Sequence, residues 1–160
     1  LSGKYDLICS NAVFQWYEDV ALAVKHYYTM LNAGGVLAFT TFGKENHFEF
    51  ADSAERGGAL GYRLNYKDKD EILAKLDSGI KIEFEEKMVE EEFENLREYF
   101  RYIKKIGAKI TQKEKNGISL TLFKNIEKNF FEKYCKNGKI TVTNHIYFFI
   151  IKKEKEENGE

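Results

Sequence analysis

The chain has 160 residues, with 25 Lys+Arg against 26 Asp+Glu and a formal net charge of −1, a balance that excludes a general nucleic-acid or polyanion binder. Hydrophobic residues make up 43% and aromatics 15%, which supplies one buried core and excludes disorder of the whole. Proline is absent, so Pro-rich linkers and polyproline ligand segments are excluded as well.

Cys9 and Cys135 lie far apart with no C-x-x-C spacing, and they read as two reduced core thiols rather than a disulfide or zinc framework. The longest apolar run, 146–151, is strand-sized and far below the roughly 18 residues that span a bilayer. The apolar part of YDLICS is too short for a signal peptide. These features point to a soluble, cytoplasmic chain with no membrane and no nucleic-acid partner.

In chain order, Tyr5–Ser10 (YDLICS) reads as a buried parallel strand ending at a polar Ser-Asn pair. From Glu18 onward, Val20, Val24, Tyr27 and Leu31 recur at helical spacing, with Glu18 and Asp19 in the first turn and Gly34 available to end the helix. Residues 36–42 (VLAFTTF) form a second strand, so strand, helix and strand make a parallel crossover unit. The segment 45–66 is less regular, with Gly57, Gly58 and Gly61 against any long helix. Asp68 caps a helix carrying Ile72, Leu73 and Leu76, and Ile80, Ile82 and Phe84 alternate with charged residues as a strand with one polar face. The acidic run 85–94 reads as solvated surface. Phe93, Leu96, Phe100 and Ile103 return to helical spacing up to Gly107. Ser119 caps a further helix with a Phe123, Ile126, Phe130 and Tyr134 stripe, ended by Asn137-Gly138. A last strand occupies 140–152, polar first and then apolar on both faces, and the charged tail 154–160 reads as disordered. The order predicts an α/β fold.

Ligands of an open α/β sheet sit beyond the carboxyl ends of its strands, which directs attention to SNAVFQW at 10–16 and to Thr40-Thr41-Phe42-Gly43 followed by Asn46-His47-Phe48-Glu49. SNAVFQW, LNAGGVLAFTTFG at 31–43 and YIKKIGAK at 102–109 together resemble the carboxyl-terminal part of the malonyl-[acyl-carrier protein] O-methyltransferases of biotin synthesis. That family is a class I, S-adenosylmethionine-dependent group. The resemblance runs over about 5–152, and the stretch 138–147 is similar to the family's final strand.

The resemblance implies the second half of a Rossmann-like methyltransferase sheet over residues 1–153, Tyr5–Ser10 being its fourth strand, with a helical lid at about 92–136 between the last two strands. The glycine-rich turn and the acidic residue that hold the cofactor in this superfamily do not occur, and Gly57-Gly58-Ala59-Leu60-Gly61 does not follow a strand. Leu1 therefore reads as a truncation point, and the chain alone is expected to be inactive. By resemblance, Ser10, Asn11 and Ala12 lie beside the methionine and sulfonium end of S-adenosylmethionine, and Gln15 and Trp16 line the same pocket; Trp16 reads equally as a core anchor. His47 falls in an acceptor-side segment, or is an exposed loop histidine. Arg101 and Lys104 on the lid either meet an anionic acceptor or form a solvated face.

The implied reaction carries a methyl group to the free carboxylate of malonyl-acyl-carrier protein or malonyl-CoA, and an ionised carboxylate needs no general base. No catalytic residue is assigned. His26 and His145 read as structural, and no histidine spacing supports a metal. The alternatives are a methyltransferase for another small carboxylate such as trans-aconitate, or a non-catalytic half-domain that binds a partner. A half-sheet would also leave the edge of Tyr5–Ser10 open to self-association.

Overall fold

The computed structural model describes residues 3–61, 65–106 and 118–155. Five strands form one sheet: β1 (Tyr5–Ser10), β2 (Leu31–Phe42), β3 (Lys81–Phe93), β4 (Cys135–Lys136) and β5 (Lys139–Lys152). Their order is β1-β2-β5-β3, with β4 paired to β5. β1 runs parallel to β2, and β5 runs antiparallel to β2 from Val36↔Lys152 to Phe42↔Ile146. The helices are α1 (Val20–Thr29), α2 (Phe48–Arg56), α3 (Lys69–Leu73), α4 (Leu96–Lys105) and α5 (Leu120–Tyr134). The α/β class read from the sequence is borne out. The chain divides into two compact units, 1–44 with 66–87 and 145–160, and 45–65 with 88–144.

In the first unit, alternate residues of β2 and β5 face one core. Leu37 and Phe39 meet Tyr147, Phe149 and Ile151 there, joined by Val20 and Val24 of α1 and Ile72 of α3. Phe14, 1% exposed in the 3-10 turn Phe14–Trp16, stacks on Phe39 at 4.0 Å, and Phe39 stacks on Phe149 at 4.8 Å. Asp19 caps α1 by accepting from the Leu22 N–H, and Asp68 caps α3 by accepting from the Asp70 N–H.

In the second unit, Phe50 and Ala54 of α2, Leu96, Tyr99 and Ile103 of α4, and Ile126 and Phe130 of α5 pack with Ile140 and Val142 of β5. Asn95 and Ser119 cap α4 and α5, accepting from the N–H groups of Glu98 and Leu122.

Several details depart from the periodicity. α1 ends at Thr29, so Leu31 is not on its stripe and Gly34 does not cap it. Leu31 instead pairs with Tyr5, and Gly34, at φ +79, turns the backbone inside an irregular stretch of β2 whose N–H reaches the Lys153 carbonyl. Gly35 is required by close approach, since a Cβ there would stand 2.9 Å from the Tyr5 carbonyl oxygen. β1 is not buried on both faces: Ile8 joins the core, while Leu7 and Cys9, which alternate to the opposite face of the sheet, are exposed. The cysteines are therefore not core thiols, Cys135 being half-buried.

α2 occupies part of the segment read as irregular, with Gly57 as its cap. β3 runs on through the acidic residues to Phe93, which ends the strand instead of starting a helix; the acidic run is exposed in most of its length, as expected. Asn137 (φ 51) and Gly138 (φ 81) do not terminate α5 directly but form the two-residue turn between β4 and β5. The end of α4 at Gly107, Leu1 and the tail from 156 lie outside the described residues.

Phe14 rather than Trp16 anchors the turn, since Trp16 is 53% exposed. Phe14→Ala should therefore lower unfolding free energy by about 3–5 kcal/mol, and Trp16→Ala by less than about 1 kcal/mol, in urea denaturation followed by circular dichroism.

Candidate functional site

Past the end of β1 the backbone turns sharply. Ala12 sits at φ 50, a left-handed conformation costly for a residue with a Cβ. The Thr40 hydroxyl of β2 holds it there, accepting the Ala12 N–H at 2.9 Å and donating to Asn11 Oδ1 at 2.6 Å. Parallel pairing makes this possible, because the Ser10↔Phe39 register brings Thr40 alongside the tip of β1. Gln15 Nε2 then donates to the Ala12 carbonyl, while Gln15 Oε1 is buried without a hydrogen-bond partner among the described residues. Such an acceptor is costly to leave unpaired and suits a cationic or N–H donor. Ser10, Asn11, Ala12, Gln15 and Trp16 thus form one continuous strand-tip loop, with the Trp16 ring largely in solvent.

Gly43 follows β2. Its N–H donates to the His145 carbonyl at 2.9 Å, and a Cβ would lie 2.6 Å from both the His145 and Tyr147 rings. Both rings are almost fully buried and cannot yield. The glycine of the TTFG string is thereby explained by packing. His145 Nε2 meets Glu86 Oε1 at 2.6 Å, and the Lys69 ammonium, ahead of His145, keeps the Glu86 carboxyl below its ordinary range.

The acceptor-side candidates fall in the second unit. His47 starts α2 at φ 55, and its N–H donates to the Thr143 carbonyl at 2.8 Å. Its Nε2 lies 3.0 Å from Asn144 Oδ1, and its Nδ1 lies 3.0 Å from the Tyr99 hydroxyl. One neutral tautomer satisfies both contacts, with Nε2–H donating to Asn144 and Nδ1 accepting from Tyr99. Burial is the main reason its pKa lies below the ordinary histidine value. Two residues on, Glu49 is 4% exposed and accepts from both the N–H and the hydroxyl of Thr143; burial pushes its carboxyl up.

Arg101 and Lys104 are not brought to His47. Tyr99 faces inward from α4, and at 100° per residue Arg101 and Lys104 point about 160° and 140° away from it. Both are exposed on the solvent side of the helix. Sequence reading missed Tyr99 and Asn144 as partners of His47, and Thr143 as the partner of Glu49. The one signal was the polar TVTNH opening of an otherwise apolar strand. Among the described residues, no group of three or more His, Cys, Asp or Glu side chains is arranged to hold a metal ion, and no helix is long and apolar enough to cross a membrane.

No protein-family model matches the chain. Among curated proteins, it is 34% identical over 157 residues to malonyl-[acyl-carrier protein] O-methyltransferase 1 of Ilyobacter polytropus, covering 95% of this chain and 58% of that protein. It is 31% identical over 174 residues to malonyl-[acyl-carrier protein] O-methyltransferase of Acetivibrio thermocellus, covering 99% of this chain and 61% of that protein. The resemblance read in the sequence strings is borne out along almost the whole chain, which spans about three-fifths of the length of these relatives. Among solved structures, a Bacillus halodurans C-125 protein assigned as a methyltransferase matches with TM-score 0.58 at 12% identity, over 95% of this chain and 71% of that one. The YcgJ protein of Bacillus subtilis matches with TM-score 0.57 at 14% identity, over 95% of this chain and 65% of that one. The fold is the Rossmann-like α/β fold of these proteins.

Because the His47 pKa lies below its ordinary value of about 6.5, the native state binds fewer protons than the unfolded chain as pH falls past that value. Its contribution to stability is present above that pH and is lost as pH falls through it. Between pH 7.5 and 5.5, wild-type stability should fall more than that of His47→Gln, measured by urea denaturation at each pH.

Proposed function

We propose that this chain is the carboxyl-terminal, acceptor-side part of an S-adenosylmethionine-dependent methyltransferase whose acceptor is the free carboxylate of a malonyl thioester in biotin synthesis. The 34% identity over 95% of the chain to a protein of that name carries the reading, and the strand-tip loop beyond β1 supports it. The unpartnered buried Gln15 Oε1 suits the ammonium of a methionine moiety, and the exposed Trp16 ring offers an apolar wall beside it. When bound, S-adenosylmethionine supplies an electrophilic methyl group, which the acceptor carboxylate takes up to give a methyl ester and S-adenosylhomocysteine.

Ser10, Asn11 and Ala12 set the position of the cofactor's sulfonium end, with Thr40 fixing the backbone that presents them. Since a carboxylic acid of ordinary pKa, about 4, is ionised at pH 7, the residues have no proton to remove. Their work is alignment and exclusion of water. His47 acts as a positioning residue on the acceptor side: both of its ring nitrogens are engaged, so it works through Tyr99 and Asn144 rather than by touching the carboxylate. The protein is read as cytoplasmic, as the intracellular thioester acceptor requires.

The longest polypeptide the gene encodes should transfer methyl from S-adenosylmethionine to malonyl-acyl-carrier protein, read by intact-protein mass spectrometry as a gain of one CH₂, and should leave free trans-aconitate unchanged. Methylation of trans-aconitate in preference to the malonyl thioester would favour a small-polycarboxylate enzyme. Failure to methylate either would remove the proposal.

A further inference from the structure

Beyond the carboxyl end of β2 lies a set of polar contacts with no part in the cofactor loop or in the His47 cluster. Antiparallel pairing sets Thr41 opposite Tyr147 and Phe42 opposite Ile146, and the Gly43 N–H continues the ladder to the His145 carbonyl at 2.9 Å. His145 is 2% exposed and Tyr147 1%. The His145 ring donates from Nε2 to Glu86 Oε1 at 2.6 Å, and Glu86 Oε2 accepts from the Lys69 ammonium at 2.7 Å. Lys69 opens α3, and its backbone N–H donates to the Tyr147 hydroxyl. The preceding residue, Asp68, caps α3 and meets the Lys44 ammonium at 2.5 Å, while the Tyr66 ring stands edge-on to Phe42 at 5.9 Å. Residues 42–44 and 66–69 are thus joined by one continuous chain of contacts.

Stability alone does not account for this arrangement. An apolar side chain of similar volume at position 145 would close the end of the core without the cost of drying an imidazole and its carboxylate partner. The packing also leaves no slack. A Cβ at Gly43 would lie 2.6 Å from both the His145 and Tyr147 rings, so the backbone there rests directly on them, and a shift of either ring passes to the tip of β2. That tip is where ligands of an open α/β sheet sit. β1 and β2 run parallel, which sets the tip of β2 beside the loop 10–16. Thr40, whose hydroxyl clasps that loop, comes three residues before Gly43.

We infer that His145 is a positioning residue for methyl transfer: with Glu86 and Lys69 it fixes residues 43–44 and 66–69 as a wall beside the cofactor loop, against which the acceptor is aligned. The inference rests on the methyltransferase reading above and goes beyond it, by giving a part in alignment to a buried β5 histidine that the sequence alone marks as structural. None of the three side chains needs to touch the acceptor. Their work is geometric, since carboxylate oxygen, methyl carbon and sulfur must stand in line, and a misplacement of about 1 Å costs about a hundredfold in rate.

The test measures methyl transfer from S-adenosylmethionine to malonyl-acyl-carrier protein by the longest encoded polypeptide, and S-adenosylhomocysteine affinity by calorimetry. Glu86→Gln and Lys69→Met should each lower kcat about tenfold, with KM and S-adenosylhomocysteine affinity changed less than about twofold. The double variant should be no slower than the slower single, because both break one relay. His145→Leu should lose at least as much, and His145→Gln, which keeps an N–H donor for Glu86, should recover most of the loss. The side chains of Lys69 and Glu86 are 38% and 33% exposed, so their variants decide the matter even where His145→Leu fails to fold. A kcat within about twofold of wild type in Glu86→Gln and Lys69→Met, with only the melting temperature lowered, would overturn the inference. Additive losses, or losses that fall on KM and cofactor affinity instead of kcat, would overturn it too. Absence of methylation by the wild type is a distinct outcome, which removes the methyltransferase reading and this inference together.

Discussion

β5 buries Thr143 and His145 almost as deeply as Phe149 and Ile151, and the need to satisfy those polar groups organises what surrounds them. A buried hydroxyl, amide or imidazole without a partner costs a few kcal/mol. Thr143 is therefore met by the first turn of α2 in place of a strand: His47 donates its N–H to the Thr143 carbonyl, and Glu49 takes the Thr143 N–H and hydroxyl. Asn144 is met by the His47 ring, and His145 by Glu86. Gly43 is a glycine because the His145 and Tyr147 rings occupy the space that a side chain would need.

The same economy governs the strand-tip loop. A left-handed alanine at the end of β1 persists because one hydroxyl, that of Thr40, satisfies two groups of the loop at once. Everything read as cofactor-facing hangs from that clasp, while the acceptor-side candidates divide into two kinds. His47 is an internal positioning group, buried and fully bonded. The α4 cations Arg101 and Lys104 face solvent.

Much of this was legible in the sequence, for local physical reasons. Asp19, Asp68 and Ser119 are short polar side chains placed before apolar periods, and each caps its helix as its chemistry suggests. The bounds of β1 follow from a compact apolar run between Gly3 and Asn11. The strings around Asn11 and Gly43 were also informative, because the first carries a left-handed turn at Ala12 and the second a position where the His145 and Tyr147 rings leave no room for a side chain. What escaped the sequence depended on distant partners. α2 begins at a left-handed histidine with no capping side chain, so no local signal announces it. The depth of Thr143 is invisible without α2, and the two-residue Asn137-Gly138 hairpin looks like a helix stop unless the short β4 is seen beside it. Trp16 was ambiguous because a large aromatic anchors cores and lines pockets alike; Phe14, two residues earlier, takes the anchoring place.

The central claim is that the loop from Ser10 to Trp16, clasped by Thr40, faces the cofactor. Titrating S-adenosylhomocysteine into the longest encoded polypeptide and following the part of the tryptophan emission that Trp16→Phe removes tests it most directly. A saturable change in that emission, with affinity weakened about tenfold in Thr40→Val and restored in Thr40→Ser, is the predicted result, corresponding to roughly 1.4 kcal/mol. Tight binding of S-adenosylhomocysteine by calorimetry with Trp16 emission unmoved, and affinity unchanged in Thr40→Val, would contradict it.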